Sequence, residues 1–452
     1  MVNELRELMR DATERPPHDP GDLRAVLSAG RRRVRVRRAV TVGGTALAAG
    51  AIALGANAWL NPAPADLAAA GVPRPDAPTV RLAGARPAVE DQDYRDLASW
   101  TNEDLESDNG EYFDGVTDDG LVLFREGQTM TRPDVRYALM DPATGEKQWL
   151  PAWPGGGEQA FAVQLSEDEL VLGRFEQVGQ RGLTRPVVDV YERASETWRT
   201  VSWPALPGDE NPSFATVGPD GRAYVAVVTD AGDVPPGGWP AGPDGEADDA
   251  DAPGEVRALW SMSLTDPDDV RLEQRGVGDF AFDGDTLVWT DSTNGDAGRV
   301  HVRDLTTGEE TSFDPQAGAR CNLLGFDVAG GRIAMSQYCG TYAGGVRDDR
   351  VQVVTTGGEQ VVTFQESGVE SGALVGGGDY LALTGWDRAT GGTYLYDFGS
   401  AELVRLSDAP SSWSVAQGPT PGDELLWSEP VGRAVEVLGA TGATAHLSEV
   451  VR

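Results

Sequence analysis

The sequence predicts an all-β chain built from seven consecutive units, each made of four short strands. The first observation is a turn rich in Gly and Asp that is followed by a short apolar strand. This step begins near residues 120, 168, 221, 284, 331, 378 and 423, mostly at intervals of 45–53 residues. Self-similarity at a fixed period of this length is typical of repeat architectures.

The second observation is another strand pair that recurs in step with the first. Tyr137–Leu139 runs into the turn Asp141–Gly145, and Val300–Val302 runs into the turn Asp304–Gly308. The other copies of this strand lie at 188–191, 259–264, 351–354, 394–396 and 435–438. Gly, Asn, Asp and Ser suit such turns because they supply positive φ or side-chain hydrogen bonds. Four strands in each of seven units predict a seven-bladed β-propeller over residues 90–452.

One of these turns carries a longer motif. Residues 141–149 match D-x-x-T-G-x-x-x-W, and Asp304–Gly308 keeps the first half of it. This pattern resembles the repeat of pyrroloquinoline-quinone-type propellers and of the related WD-repeat-like bacterial propellers. The resemblance implies a turn closed by the Thr-Gly pair and a Trp149 that packs between blades. The motif is structural and also occurs in non-catalytic propellers, so we infer the fold from the resemblance and carry over no cofactor.

The one long interval between repeats contains an acidic insertion, residues 230–255. It holds five Pro and eight Asp or Glu, with no basic residue. A segment of this composition has too little apolar surface to form a packed core. We therefore expect a solvated, largely disordered loop on the third unit.

The chain before the repeats predicts a membrane anchor. An uncharged run of 22 residues, 39–60, is long enough to cross the bilayer as one helix. A cluster of arginines precedes it, comprising Arg31, Arg32, Arg33, Arg35, Arg37 and Arg38. Arginine-rich flanks of a span stay in the cytoplasm, so residues 1–38 should lie inside and the propeller outside.

A cleaved export signal is the alternative to an anchor. The Arg37-Arg38 pair resembles a twin-arginine signature, and residues 56–58 fit an A-x-A cleavage site. Both interpretations place the repeats outside the cytoplasm.

Two segments flank the predicted span. In residues 1–38, Leu5, Leu8 and Met9 share a helical face and Asp19-Pro20 is a typical helix start, which predicts two short amphipathic helices. They form either a membrane-adjacent tail or a docking element for a cytoplasmic regulator. Residues 61–89 contain six Pro, which predicts an extended, semi-rigid linker.

Charge is unevenly distributed along the chain. The formal net charge is −35, although residues 1–38 hold ten Arg and only six Asp or Glu. A strongly acidic body repels phosphate backbones, which argues against a nucleic-acid partner. Lys147 is the single Lys among 37 basic residues. This preference for Arg over Lys resembles the composition of actinobacterial proteins. The layout of basic tail, single span and exported propeller resembles that of actinobacterial membrane-anchored propeller proteins of unassigned function.

The two cysteines of the chain, Cys321 and Cys339, are equidistant from Gly330. If 329–331 is a three-residue turn, the two cysteines face each other across a hairpin. Cross-strand partners lie within the distance that a disulfide requires. An exported domain would lie in an oxidising compartment, in which disulfides persist. We therefore predict a structural disulfide between the two cysteines, with two free buried thiols as the alternative.

Other chemistry-bearing residues are sparse. No G-x-S-x-G motif is present, and His301 lies on a predicted strand between two valines, as an exposed strand histidine would. Acidic loops at 118–119, 244–251, 283–285 and 291–296 offer oxygen ligands for Ca²⁺, but none has EF-hand spacing. The twelve Trp should fill blade interfaces. We therefore assign no catalytic, cofactor-binding or metal-binding residue.

The leading functional hypothesis is a non-enzymatic single-pass membrane protein whose extracytoplasmic propeller binds a protein or small ligand. Its cytoplasmic helices would then carry the output, for instance to a sigma-factor-like regulator. This last step rests on analogy with transmembrane anti-sigma proteins. The alternatives are an exported hydrolase or lyase on a propeller scaffold and a passive cell-surface scaffold.

Overall fold

The computed structural model describes residues 75–102, 111–127, 135–156, 160–179, 183–209, 215–230, 256–293, 296–317, 321–341, 347–387, 389–408, 416, 418–431 and 442–451. These residues form seven antiparallel sheets arranged as the blades of a propeller. The predicted all-β fold and the number of blades are therefore confirmed.

In blades 1 to 4 the four strands of each sheet follow one another in chain order. Blade 1 contains Glu111–Val116, Val122–Glu126, Arg136–Met140 and Lys147–Trp149. Blade 2 contains Phe161–Leu165, Glu169–Gln177, Thr184–Glu192 and Thr197–Ser202. Blade 3 contains Thr216–Val217, Arg222–Asp230, Val256–Ser263 and Val270–Arg275. Blade 4 contains Val277–Asp283, Thr286–Asp291, Val300–Asp304 and Glu310–Phe313.

Blades 5 and 6 have the same order, with one further short strand on the outer edge of each sheet. Blade 5 contains Asn322–Ala329, Arg332–Thr341, Arg347–Thr355 and Gln360–Gln365. Blade 6 contains Val369–Val375, Tyr380–Gly385, Gly392–Asp397 and Glu402–Ser407. The added edge strands are Thr79–Val80 on blade 5 and Arg86–Pro87 on blade 6.

Blade 7 closes the ring by joining the two ends of the propeller. Glu424–Val431 pairs with Gly442–Val450, and the latter pairs in turn with Tyr94–Asn102 from the beginning of the propeller. The repeat predicted at 435–438 lies outside the described residues, and Gly442–Val450 holds the place of the third strand. This closure removes the open edges that two unpaired terminal strands would leave.

The segment before the ring, residues 75–89, packs on the outside of blades 5 and 6, and we call it the strap. Thr79–Val80 and Arg86–Pro87 pair in parallel with the outer strands of these two blades. Between them Leu82 is only 2% exposed and enters the apolar cluster shared by blades 5 and 6. The linker predicted for residues 61–89 is therefore not a free spacer over 75–89, because its apolar side chains and backbone groups find partners on the propeller.

The cores lie between neighbouring blades, as large tryptophans illustrate. Trp203 is buried between blades 2 and 3, and Trp289 between blades 3 and 4. Trp149 departs from its predicted place between blades, because the outermost strand of blade 1 is short and faces solvent. It is 39% exposed, and the guanidinium of Arg136 lies 3.9 Å from its ring centroid.

Several predictions from the sequence lie outside the described residues. These are the tail 1–38 with its six arginines, the apolar run 39–60, the first part of the linker and residues 231–255 of the acidic insertion. Within the part of the chain that is described, no helix is long and apolar enough to cross a membrane.

Candidate functional site

The first strands of blades 1 and 2, 2 and 3, 4 and 5, and 5 and 6 contact one another, as strands around the axis of a propeller do. In blades 1, 2, 4, 5 and 6, the register between this inner strand and the second strand shifts at a β-bulge. Bulges interrupt regular pairing and re-aim side chains, and they are frequent next to binding sites. The residues left without a strand partner are Asp114, Gly115, Val163, Gly278, Asp279, Leu324 and Gly372. We call this ring of bulges and the space inside it the central channel.

Asp279 stands out among the bulge residues. Its backbone N–H donates to Thr290 Oγ1 at 3.0 Å, which fixes the bulge. The preceding Gly278 is required here, because a Cβ would lie 2.5 Å from the Asp291 carbonyl oxygen. Among the described residues, no group donates a hydrogen bond to the Asp279 carboxylate. Burial raises the pKa of this carboxyl, and the positive charge of Arg257 opposes the increase.

The other bulge acid, Asp114, is compensated within the protein. Arg125 reaches it with two guanidinium nitrogens, Nε and Nη2, the latter at 3.2 Å from Oδ1. Both side chains are only 3% exposed. The same guanidinium lies 3.9 Å from the ring centroid of Tyr112. Asp114 is therefore a structural residue of blade 1. The bulge of blade 4 differs from that of blade 1, because its Asp279 has no arginine bonded to the carboxylate among the described residues.

Inner-strand aspartates also link consecutive blades. The Asp283 carboxylate of blade 4 accepts the N–H of Gly331 in blade 5 at 2.7 Å. The Asp327 carboxylate of blade 5 accepts the N–H of Leu374 in blade 6 at 2.6 Å. Burial raises the pKa of Asp327, while this backbone hydrogen bond lowers it. These bonds hold the inner ring in a fixed geometry around the channel.

The predicted disulfide is present between Cys321 and Cys339, with their Cα atoms 4.0 Å apart. The predicted turn differs from the observed one. Gly330 and Gly331 form a two-residue turn with φ of 56° and 71°. This turn alone would put the cysteines one residue out of register, and the bulge at Leu324 restores their pairing. The bond joins the inner two strands of blade 5 and is buried.

Both histidines in the described part of the chain have the same surroundings, which the sequence reasoning missed. His301 is partly buried, stacks on Trp289 at 5.0 Å and lies 2.8 Å from Asp291 through Nε2. A parallel set exists in blade 7, in which the ring of His446 stacks on Trp427 at 4.1 Å. Both sets share a sequence pattern that could have revealed them: a Trp precedes an acidic residue by two positions on one strand, and the His lies on the next strand.

Several described carboxylates of the acidic loops considered for Ca²⁺ are used in protein contacts. Asp119 pairs with both terminal nitrogens of Arg193 at 2.8 Å, and Asp291 accepts from His301 and from the Arg299 backbone. Across the described residues, no group of three or more His, Cys, Asp and Glu could hold a metal ion. The loop 244–251 lies outside these residues.

The strand order, the ring closure and the channel define the chain as a seven-bladed β-propeller. No protein-family model matches it, and no curated protein does either. Several solved propeller structures are similar at low identity. A prolyl endopeptidase structure is 14% identical with a TM-score of 0.41, and the match covers 70% of this chain and 42% of that one. The chain therefore spans about two fifths of that enzyme.

Two further matches cover most of the length of the matched protein. The propeller domain of the trilobed protease from Pyrococcus furiosus is 10% identical with a TM-score of 0.42, covering 70% of this chain and 89% of that one. Oligogalacturonate lyase from Vibrio parahaemolyticus is 11% identical with a TM-score of 0.45, covering 81% and 99%. Similarities this distant carry no argument about activity.

Proposed function

We propose that this protein is a single-pass membrane protein whose extracytoplasmic propeller is a binding or sensing module, with its ligand site in the central channel. The observation that carries the proposal is the Asp279 carboxyl. It lies in the bulge of an inner strand, it is partly exposed to solvent, and no described residue donates a hydrogen bond to it. A partly exposed carboxylate without a donor in the protein can accept hydrogen bonds from a ligand.

The strap supports a role for the propeller as part of a longer assembly. A chain that enters from a membrane span would reach the ring through residues 75–89, which are fixed by Leu82 and by two parallel strand pairings. Such an attachment transmits the position of the propeller to the upstream chain. The oxidised Cys321–Cys339 pair is consistent with an extracytoplasmic location, where disulfides persist.

The output of the module would be the cytoplasmic tail, residues 1–38, acting on a regulator of the sigma-factor type. Deletion of residues 2–30 tests this part of the proposal, because it leaves the arginine cluster and the propeller in place. Cross-linking in cells should capture a cytoplasmic partner with the full chain and lose it with the deletion. An identical set of captured proteins would remove the signalling role.

The location of the propeller is tested by the redox state of its cysteines in cells. Acid quenching followed by alkylation in denaturant should add a thiol reagent only after reduction, and then at both Cys321 and Cys339. Two reactive thiols without reduction would place the propeller in a reducing compartment and contradict the proposed topology.

A further inference from the structure

We propose that His446 of blade 7 binds a proton on mild acidification and then ties the two ends of the propeller ring together more strongly. The inference concerns the closure of the ring. It goes beyond the proposed binding function, because it depends neither on the central channel nor on the location of the propeller. It follows from the position of His446, from the two carboxylates that its ring faces and from a comparison with blade 4.

His446 lies on the strand that joins the two ends of the ring. This strand, Gly442–Val450, pairs on one side with Glu424–Val431 and on the other with Tyr94–Asn102. The outer strand, Tyr94–Asn102, comes from the beginning of the propeller and follows the strap in the chain. A side chain of the middle strand that contacts both neighbours therefore links the first strand of the ring to the last two.

The imidazole ring faces one carboxylate on each neighbouring strand. Nδ1 lies 3.0 Å from Asp96 Oδ2 of the outer strand, and Nε2 lies 3.5 Å from Glu429 Oε1 of the preceding strand. The ring stacks on Trp427 with 4.1 Å between the centroids and 10° between the planes. His446 is 9% exposed, and its Nε2 is buried without a hydrogen-bond partner among the described residues.

The chemistry of imidazole makes this arrangement sensitive to protons. A neutral ring has one N–H and one lone pair, so it donates to one carboxylate only. When Nδ1 donates to Asp96, the lone pair of Nε2 faces an oxygen of Glu429 and forms no bond with it. An imidazolium has two N–H groups for the two carboxylates, and the face of Trp427 attracts its positive charge. Protonation therefore strengthens the link between the strands that carry Asp96 and Glu429.

Blade 4 contains a similar set of side chains with one difference. His301 stacks on Trp289, with Nε2 2.8 Å from Asp291 and Nδ1 3.6 Å from Glu310. In this blade, however, Arg303 donates to Glu310 at 2.8 Å. A nearby positive charge disfavours the protonated form of a histidine. The set in blade 4 should therefore respond less to acidification.

The charged surroundings in blade 7 favour the proton instead. No described Arg or Lys bonds to Asp96 or Glu429. Arg95 and Glu449 pair with each other on the opposite face of the sheet, because side chains alternate along a strand. Burial and nearby carboxylates, Asp96 and Glu429 among them, raise the pKa of Tyr94, so its hydroxyl is neutral. The charges that face the imidazole are therefore the two carboxylates.

Hydrogen exchange of the full chain in detergent tests the inference at the amides of Tyr94–Asn102. Imidazole normally changes its charge between about pH 5 and 8, so the added link is present at the low end and is lost as the pH rises. Protection, the ratio of the intrinsic to the observed exchange rate, should be at least about fivefold higher at about pH 5.5 than at about pH 8. The partial exposure of both carboxylates keeps this factor modest.

Three variants assign the effect to the proposed groups. H446Q removes the titrating ring and D96N removes the charge of its partner, so both should abolish the increase in protection on acidification. E429Q changes a side chain that is 43% exposed, which keeps the test open if the other variants fold poorly, and it should reduce the increase at least about twofold. The matched control E359Q removes the same charge from an exposed turn of blade 5 and should leave the increase unchanged.

Two results would overturn the proposal. The first is equal protection of Tyr94–Asn102 at both pH values in the unaltered protein. The second is an increase that persists in H446Q or is the same in E429Q and E359Q. If the ring had only a structural role, H446Q would lower protection by the same factor at both pH values, and the increase on acidification would remain.

Discussion

Substitution L82A should detach the strap from the propeller. Leu82 is 2% exposed and contacts the cluster that contains Phe364 and Leu403, at the seam of blades 5 and 6. Truncation of a buried Leu to Ala costs about 2–5 kcal/mol, through lost apolar burial and the cavity that remains. The rest of the strap is held by two short strand pairings, by the partly buried side chains of Val80, Ala85 and Ala88, and by polar contacts such as the 2.7 Å bond from Arg81 to the Gln365 carbonyl. Because Leu82 is the large apolar side chain of the strap that is fully buried, it should contribute most to docking.

Hydrogen exchange measures this detachment directly, because strap and propeller share backbone hydrogen bonds. The N–H of Thr363 donates to the Pro78 carbonyl, and the N–H of Ala88 donates to the Arg405 carbonyl, both at 2.9 Å. Since about 1.4 kcal/mol changes an equilibrium tenfold, exchange at these amides should accelerate at least tenfold in L82A. The control V89A truncates a side chain that is 45% exposed and should change little. Equal protection in L82A and the unaltered protein would refute the packing account.

Three other predictions concern the ring. Replacing both Cys321 and Cys339 by Ala should lower the free energy of unfolding by about 3 kcal/mol, because the disulfide closes a short loop in the unfolded chain. Denaturant titration measures this loss, and an unchanged free energy of unfolding would contradict the prediction. Substitution R125M leaves a buried carboxylate unpaired and should cost about 3–5 kcal/mol in the same assay, whereas a loss below about 1 kcal/mol would argue against the pair. The hydrogen bonds from Arg193 lower the pKa of Asp119 from 3.8 to about 2. This contact therefore stabilises the protein above pH 3.8 and loses its effect as the pH falls through about 2, so the stability difference between R193Q and the unaltered protein should shrink over that range; a constant difference would contradict the pairing.

The blades were predictable because each of them is a local unit. Turn residues and short apolar strands lie within about 50 residues of one another, as in the turn Asp304–Gly308, so the repeat is visible in the sequence. The disulfide was predicted with the correct partners, although Gly330 and Gly331 form a shorter turn than expected and a bulge compensates.

The strap and the ring closure were not predictable in the same way. Tyr94–Asn102 pairs with a strand almost 350 residues later, and the strap strands are two residues long. Neither feature has a local period. The channel site was missed for a related reason, since a bulge changes the register of two strands without a distinctive composition. Asp279 became a candidate only when the pairing partners of its neighbours were known.

The central claim is that the propeller lies outside the membrane while the arginine-flanked tail lies inside. Protease treatment of intact cells that express the full chain with an epitope at each end tests it most directly. We predict loss of the C-terminal epitope and survival of a short N-terminal fragment, which becomes degradable only after the cells are lysed. Protection of the C-terminal epitope in intact cells, with its loss on lysis, would contradict the account.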